Sequence, residues 1–220
     1  MTSPPAPAVY GFDVETDTRV DGLDPGRAAI VAAAVATAGS TVVFSDADEA
    51  TLLDRLDWYL ASLEPGVVAT WNGSAFDLPF VADRARRHGL LLGLRLRLDP
   101  AIARRHPPLR GHAGAYRASW HGHAHVDGYQ VFRADVAPAL NVSSSLKSVA
   151  RLCGLRPLQL ERSTLHRSSP ADVHEYVASD ARCTRELVSR RWRTACLSVD
   201  SPPPVPPVGA PPRADHRLTA

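Results

Sequence analysis

The stretch Val9-Tyr10-Gly11-Phe12-Asp13-Val14-Glu15-Thr16 decides how the rest of the chain is read. It has the length of a strand, and Val9, Phe12 and Val14 mark it as a buried one. Asp13 and Glu15 stand two residues apart, so strand alternation points both carboxylates to one face. Two like charges on a buried strand repel each other and lose hydration. A hard dication such as Mg²⁺, which takes oxygen ligands, relieves both costs. The other reading ends the strand near Asp13 and leaves Glu15 in solvent.

Downstream, Arg27 to Ala38 is a nearly continuous run of small apolar residues, the pattern of a strand covered on both faces. Gly39-Ser40 turns it back into Thr41 to Ser45, an antiparallel hairpin. Asp46 or Asp48 caps a helix to about Glu64, in which Leu52, Leu53, Leu56, Tyr59, Leu60 and Leu63 recur at helical spacing. Val67 to Trp71 reads as a strand, Asn72-Gly73-Ser74 as a turn, and Leu78 to His88 as a helix ended by Gly89. Residues 90–125 are broken by Pro100, Pro107-Pro108, Gly111 and Gly114, with two strands at Ala115–Trp120 and His123–Val126. Val126 to Phe132 continues toward the core. Ser143 or Ser144 caps a helix to Cys153, and Ser169-Pro170 opens a last helix to about Cys196. The first three strands are antiparallel. The fourth, reached through a helix, lies parallel to the first by a right-handed crossover. The expected fold is α/β: a central mixed five-stranded sheet flanked by helices on both faces, with an inserted β-hairpin.

Composition agrees. Hydrophobic residues make up 45% of the 220 positions and charged residues 22%, which excludes wholesale disorder. The expected organisation is a lead-in over 1–7, one folded domain over 8–198, and a disordered tail over 199–220. Residues 201–212 hold seven prolines, so that tail is a solvated extension that could seat a proline-reading partner. The net charge is only +2, so affinity for a polyanion needs a local patch. Of the 25 basic residues one, Lys147, is lysine; a GC-rich codon bias accounts for that and keeps the arginines from being a binding signature in themselves. Three scattered cysteines exclude a disulfide framework and suit a reducing compartment. With no basic-then-apolar leader at the start and no apolar run long enough to cross a bilayer, the expected location is cytoplasmic, away from membranes.

Two further elements carry carboxylates. Trp71-Asn72-Gly73-Ser74-Ala75-Phe76-Asp77 is a strand end, a turn and a helix start. Taken alone, Asp77 there reads as a plain N-cap; the same position also points a carboxylate at the sheet edge beside the first strand. In the last helix Tyr176 and Asp180 are four apart and share a face. In order and spacing these elements resemble the DEDD superfamily of 3′–5′ exonucleases, built on the ribonuclease H-like fold. Phe12-Asp13-Val14-Glu15-Thr16 resembles its first motif and Asn72 to Asp77 its second. Tyr176 with Asp180 resembles its third, in the subclass with Tyr in place of His. His125-Val126-Asp127-Gly128-Tyr129, Arg133 and Ser145-Leu146-Lys147-Ser148-Val149-Ala150 are similar to the proofreading domain of family-B DNA polymerases. The likeness covers about residues 8–196, without a polymerase domain, so a stand-alone exonuclease domain is expected.

The resemblance implies hydrolysis of a terminal phosphodiester with two Mg²⁺ or Mn²⁺ ions about 3.5–4 Å apart. It implies Asp13, Glu15 and Asp180 as ligands of the first ion, with Asp13 bridging to the second and Asp77 supporting that one through water. It implies Tyr176 as the group that orients the attacking water, since an unperturbed phenol titrates too high, near 10, for a free base. Asp13, Glu15, Asp77, Tyr176 and Asp180 are thus the expected catalytic set. Thr16, Asn72 and Phe76 are expected at the terminal nucleotide, Phe76 by stacking on a base or by packing the helix start. The substrate the resemblance implies is the 3′ end of a single strand, DNA ahead of RNA. A non-catalytic nucleic-acid-binding or scaffold role is the competing class, and four converging negative charges facing phosphate argue against it. Arg84, Arg86 and Arg87 could track a backbone or form a solvated face. His121, His123 and His125 would share a strand face as a metal site, but the turn at His121-Gly122 breaks that geometry.

Overall fold

Strand β1 (Val9–Thr16) is buried along its whole length. The computed structural model describes residues 7–104, 106–134, 136–140, 142–196 and 199. The expected N-terminal lead-in and the Pro-rich tail therefore lie almost wholly outside the described residues. β1 pairs antiparallel with β2 (Ile30–Ala36), which pairs with β3 (Thr41–Phe44). Helix α1 (Glu49–Ser62) leads to β4 (Val67–Thr70), parallel to β1 as the crossover rule requires. After α2 (Asp77–Arg87) come β5 (Leu94–Leu98), β6 (Tyr116–Trp120) and β7 (His123–Asp127). The remaining helices are α3 (Gly128–Arg133), α4 (Val136–Leu140), α5 (Leu146–Leu152), α6 (Pro170–Arg190) and α7 (Trp192–Ala195).

The sheet has seven strands in the order β3-β2-β1-β4-β7-β6-β5, so the expected count of five is corrected. The hairpin read as an insertion is part of the sheet, because β7 pairs parallel with β4 and carries β6 and β5 outward. β5, Leu94-Arg95-Leu96-Arg97-Leu98, alternates apolar and basic residues as an edge strand does. The breakers that follow it obscure that pattern. Val126 to Phe132 does not continue as a strand: the Asp127 side chain accepts from the Tyr129 amide (3.0 Å) and starts α3. Ser145, rather than Ser143 or Ser144, caps α5. The Ser169 cap and its capping box with Asp172 open α6, which stops at Arg190, short of Cys196.

The two faces of β1 have different neighbours. Tyr10, Phe12 and Val14 enter a core with Leu52, Leu53, Leu56 and Leu60 of α1 and Leu78, Phe80 and Val81 of α2. The opposite face, with Gly11, Asp13 and Glu15, lies under α6. Ala32, Ala34 and Ala36 of β2 pack there against Val177 and Ala181. The small-residue run of β2 therefore serves a close helix contact. At Gly11 a β-carbon would lie 2.0 Å from the Ala181 carbonyl oxygen and 2.7 Å from Arg185 Cβ. Only glycine admits α6 at this height.

The other face is locked by a buried ion pair. Arg84 Nε donates to both Glu49 oxygens (2.9 and 3.0 Å), and a second guanidinium nitrogen also donates to Glu49. Arg84 donates to the Pro25 carbonyl (2.9 Å), the Ile30 amide donates to Glu49 (2.7 Å), and His88 lies 2.7 Å from the same carboxylate. Burial acts to raise the Glu49 carboxyl, but the bonds from Arg84, Ile30 and His88 outweigh it and hold it below its ordinary value. Arg84 is thus a structural residue and not part of a backbone-tracking face.

Two outcomes are expected. Gly11→Ala overpacks the α6 contact and should lower stability by about 1–3 kcal/mol in urea unfolding. For Glu49, a depressed folded-state pKa means stabilisation that is full above its unfolded-state value of about 4.3 and lost as pH falls through the folded value. Unfolding midpoints should therefore drop more steeply below about pH 4.5 in the natural chain than in Glu49→Gln.

Candidate active site

β1 runs on to Thr16 past Gly11, the last residue of its parallel pairing with β4. Asp13 (6% exposed) and Glu15 (3%) project from it on the α6 side. Their cross-strand partners Ala34 and Ala32 are too small to shield them from α6. One turn apart on that helix, Tyr176 (3%) and Asp180 (4%) face the same place. Asp13, Glu15 and Asp180 each offer an oxygen within 4.8 Å of the others, and they are the only such metal-holding group among the described residues.

Three buried carboxylates this close form an all-oxygen donor set, the set a hard divalent cation takes. The donor chemistry therefore fits Mg²⁺ or Mn²⁺. Asp77 stands outside the 4.8 Å cluster, buried at the first residue of α2. It is not the N-cap: Phe76 holds that position and makes no side-chain cap bond.

Lys147 offsets part of this negative charge. From α5 its ammonium donates to Asp180, and it lies 4.3 Å from the centre of the Tyr176 ring, a cation–π distance. Its motif is legible in the sequence but its role is not. The signal is compositional: the chain uses arginine everywhere else. A compact ammonium suits a spot wedged between a carboxylate and a ring, where a planar guanidinium would not.

The turn after β4 is held by Asp127. Its Oδ1 accepts from the Asn72 amide (2.7 Å) and its Oδ2 from the Ser74 amide (3.2 Å). Burial pushes the Asp127 carboxyl above its ordinary value, against the pull of nearby His125 and of the three amides it accepts. Asn72 has φ +70°, and Gly73 approaches Thr70 so closely that a β-carbon would lie 2.3 Å from the threonine hydroxyl. This strained turn sets where Asn72, Phe76 and Asp77 stand. The side-chain oxygen of Asn72 is buried and accepts no hydrogen bond. Phe76 is half-buried against Phe80 (ring centres 5.4 Å apart) and so packs the helix start. Thr16 is buried and its hydroxyl donates to the Gly22 carbonyl (2.7 Å). It also lines a cavity of about 470 Å³ with Arg19, His166 and His174.

The histidine-rich segment serves the fold. His121 turns the β6–β7 hairpin at φ +50°. His123 lies 2.8 Å from the Leu60 carbonyl and accepts from the Gly66 amide (3.1 Å), and His125 lies 2.9 Å from the Thr70 hydroxyl. Arg86 is exposed and pairs with Asp83, and Arg87 is exposed. No helix among the described residues is long and apolar enough to cross a membrane.

Residues 26–149 match the family described as "DNA polymerase family B, exonuclease domain". That span holds the second motif and Lys147 but neither the β1 carboxylates nor Tyr176 and Asp180. The chain is 29% identical over 153 residues to the catalytic subunit of DNA polymerase epsilon from Kluyveromyces lactis, covering 68% of this chain and 6% of that protein. To the corresponding polymerase epsilon chain of Saccharomyces cerevisiae it is 28% identical over 153 residues, with the same coverage. The chain thus spans a small fraction of the length of these relatives. Among solved structures, the family B DNA polymerase of Pyrobaculum calidifontis superposes with a TM-score of 0.64 at 22% identity. That match covers 87% of this chain and 25% of the polymerase and speaks to the fold alone.

Asp127→Asn places an amide donor among the N–H groups that Asp127 accepts. It should cost about 1–3 kcal/mol of stability and speed hydrogen exchange at Asn72 and Ser74.

Proposed function

Because the chain belongs to the exonuclease-domain family of family-B DNA polymerases, a family of 3′–5′ exonucleases, we propose that it removes nucleotides from the 3′ end of single-stranded DNA by metal-dependent phosphodiester hydrolysis. The observation that carries this reading is the convergence of Asp13, Glu15 and Asp180 from a strand and a helix far apart in sequence. The matched relatives are DNA polymerases by name, which favours DNA over RNA.

Asp13, Glu15 and Asp180 would hold the metal, with Asp77 at the margin of the site. Two Mg²⁺ or Mn²⁺ ions, when bound, supply Lewis acidity at the scissile phosphate and make water a competent nucleophile near neutral pH. The residues of the chain do the rest. Tyr176 presents its hydroxyl one helical turn from Asp180 and orients the attacking water. Lys147 steadies both members of that pair, and its positive charge lies where negative charge grows on the phosphate. Asn72 brings an unsatisfied acceptor to the terminal nucleotide. Phe76 offers the edge of a ring whose body is packed in the core. Thr16, whose hydroxyl is already engaged, shapes the floor of the nucleotide site.

A gel time course with 5′-labelled single-stranded DNA and the matching RNA tests the reading in Mg²⁺, in Mn²⁺ and in EDTA. The expected result is a ladder shortening from the 3′ end, faster on DNA, absent in EDTA and in Asp13→Ala/Glu15→Ala. Tyr176→Phe and Lys147→Met should each slow cleavage by about 10²–10³-fold while the fold persists. A folded protein that cuts neither strand with either metal would overturn the proposal.

A further inference from the structure

Past Asp180, helix α6 carries Arg182 and Arg185, which line a second cavity of about 580 Å³. Its other walls are the β2–β3 hairpin tip, with Thr37 and Ser40, and the segment after α5, with Arg156. This cavity is apart from the carboxylate site. Glu15 pairs with Ala32, whereas the hairpin tip lies beyond Ala36. At about 3.3 Å per residue, the two are roughly 15 Å apart along β2.

The charges here are unbalanced. Three guanidinium groups face one carboxylate among the lining residues, Glu186. Glu186 is already bound by Arg190 at 2.7 Å and reaches Arg185 only at 3.7 Å. Arg185 Nε is buried and donates to nothing. Its side chain is only partly exposed and leaves α6 where the helix crosses Gly11, with Arg185 Cβ against that glycine. A buried donor without an acceptor is costly, and a cationic one more so. Among the described residues Arg182 is paired with the exposed Glu175, a pair of the weak, exchangeable kind. Arg156 stands exposed at the rim. An oxyanion would give Arg185 its missing acceptor and neutralise the excess charge, and guanidinium forks match phosphate oxygens bidentately. The Thr37 and Ser40 hydroxyls stand on the facing wall.

We propose that this cavity is a phosphate-binding site, separate from the hydrolytic centre, with Arg185 as its anchor through the unanswered Nε and Arg156 and Arg182 closing on the anion. The phosphate has two sources, a free anion or mononucleotide and the backbone of a nucleic-acid strand.

The test is calorimetric titration of the full chain with inorganic phosphate at low ionic strength, in EDTA so that no cleavage intervenes. Saturable binding is expected, weakened about tenfold or more by Arg185→Met and also by Arg156→Met, a rim change that spares the packing under α6. Asp13→Asn, which alters only the carboxylate site, should leave it unchanged, so failure here is distinguishable from failure of the exonuclease reading. Competition separates the sources: a single-stranded oligonucleotide that displaces phosphate assigns the site to a strand backbone, and one that does not assigns it to a free anion. Absence of phosphate binding, or binding indifferent to both arginine substitutions, overturns the proposal.

Discussion

Helix α6 touches strand β1 at a residue that has no side chain. The carbonyl of Ala181 occupies the space that a β-carbon on Gly11 would need, and the alanines of β2 keep the neighbouring strand equally low. The helix can therefore settle against the sheet until Asp180 shares a pocket with Asp13 and Glu15. A larger residue beneath it would lift the helix and pull the third carboxylate away from the other two, since packed interiors shift as units. The same contact fixes Arg185, so the geometry of both proposed anion-handling sites traces to one close backbone approach.

That closeness has an electrostatic cost. Three buried carboxylates within one small volume repel each other and have given up hydration. The protein offsets part of this with Lys147, whose ammonium meets Asp180 and the face of Tyr176. The site is thus a preorganised concentration of negative charge with the Lys147 ammonium at its edge. Such an arrangement is stable enough to fold and still favours divalent ions. The opposite solution appears on the far face of the sheet. There Glu49 is fully engaged by Arg84, His88 and the Ile30 amide, and the result is a structural lock with no open coordination.

Much of this was legible in one dimension. Strand alternation put Asp13 and Glu15 on one face, helical spacing paired Tyr176 with Asp180, and Ser169-Pro170 marked where α6 begins. These are local signals, set by backbone periodicity and capping within a few residues. The reading failed where a local signal competed with a distant partner. Asp77 looks like a cap, but the turn that precedes it is held by Asp127 from β7, and Phe76 takes the cap position. Arg84 looks like a solvent-facing arginine, but a carboxylate from α1 lies buried beside it. β5 was obscured by the prolines and glycines that follow it, and it is a strand because β6 pairs with it.

By itself, then, the sequence determined most of the elements, the parallel step from β1 to β4, and, through a resemblance of motifs, the acidic residues that belong together. The first two depend on periodicity, on chain handedness and on which residues tolerate a given backbone conformation, the third on likeness to a known family. Only the tertiary structure decided which carboxylates meet within reach of one ion, that Lys147 is a counter-charge to them, and that the Nε of Arg185 is buried with no acceptor. Those facts are distances between groups far apart in the chain, and they exist only once α5, α6 and β1 have packed against one another.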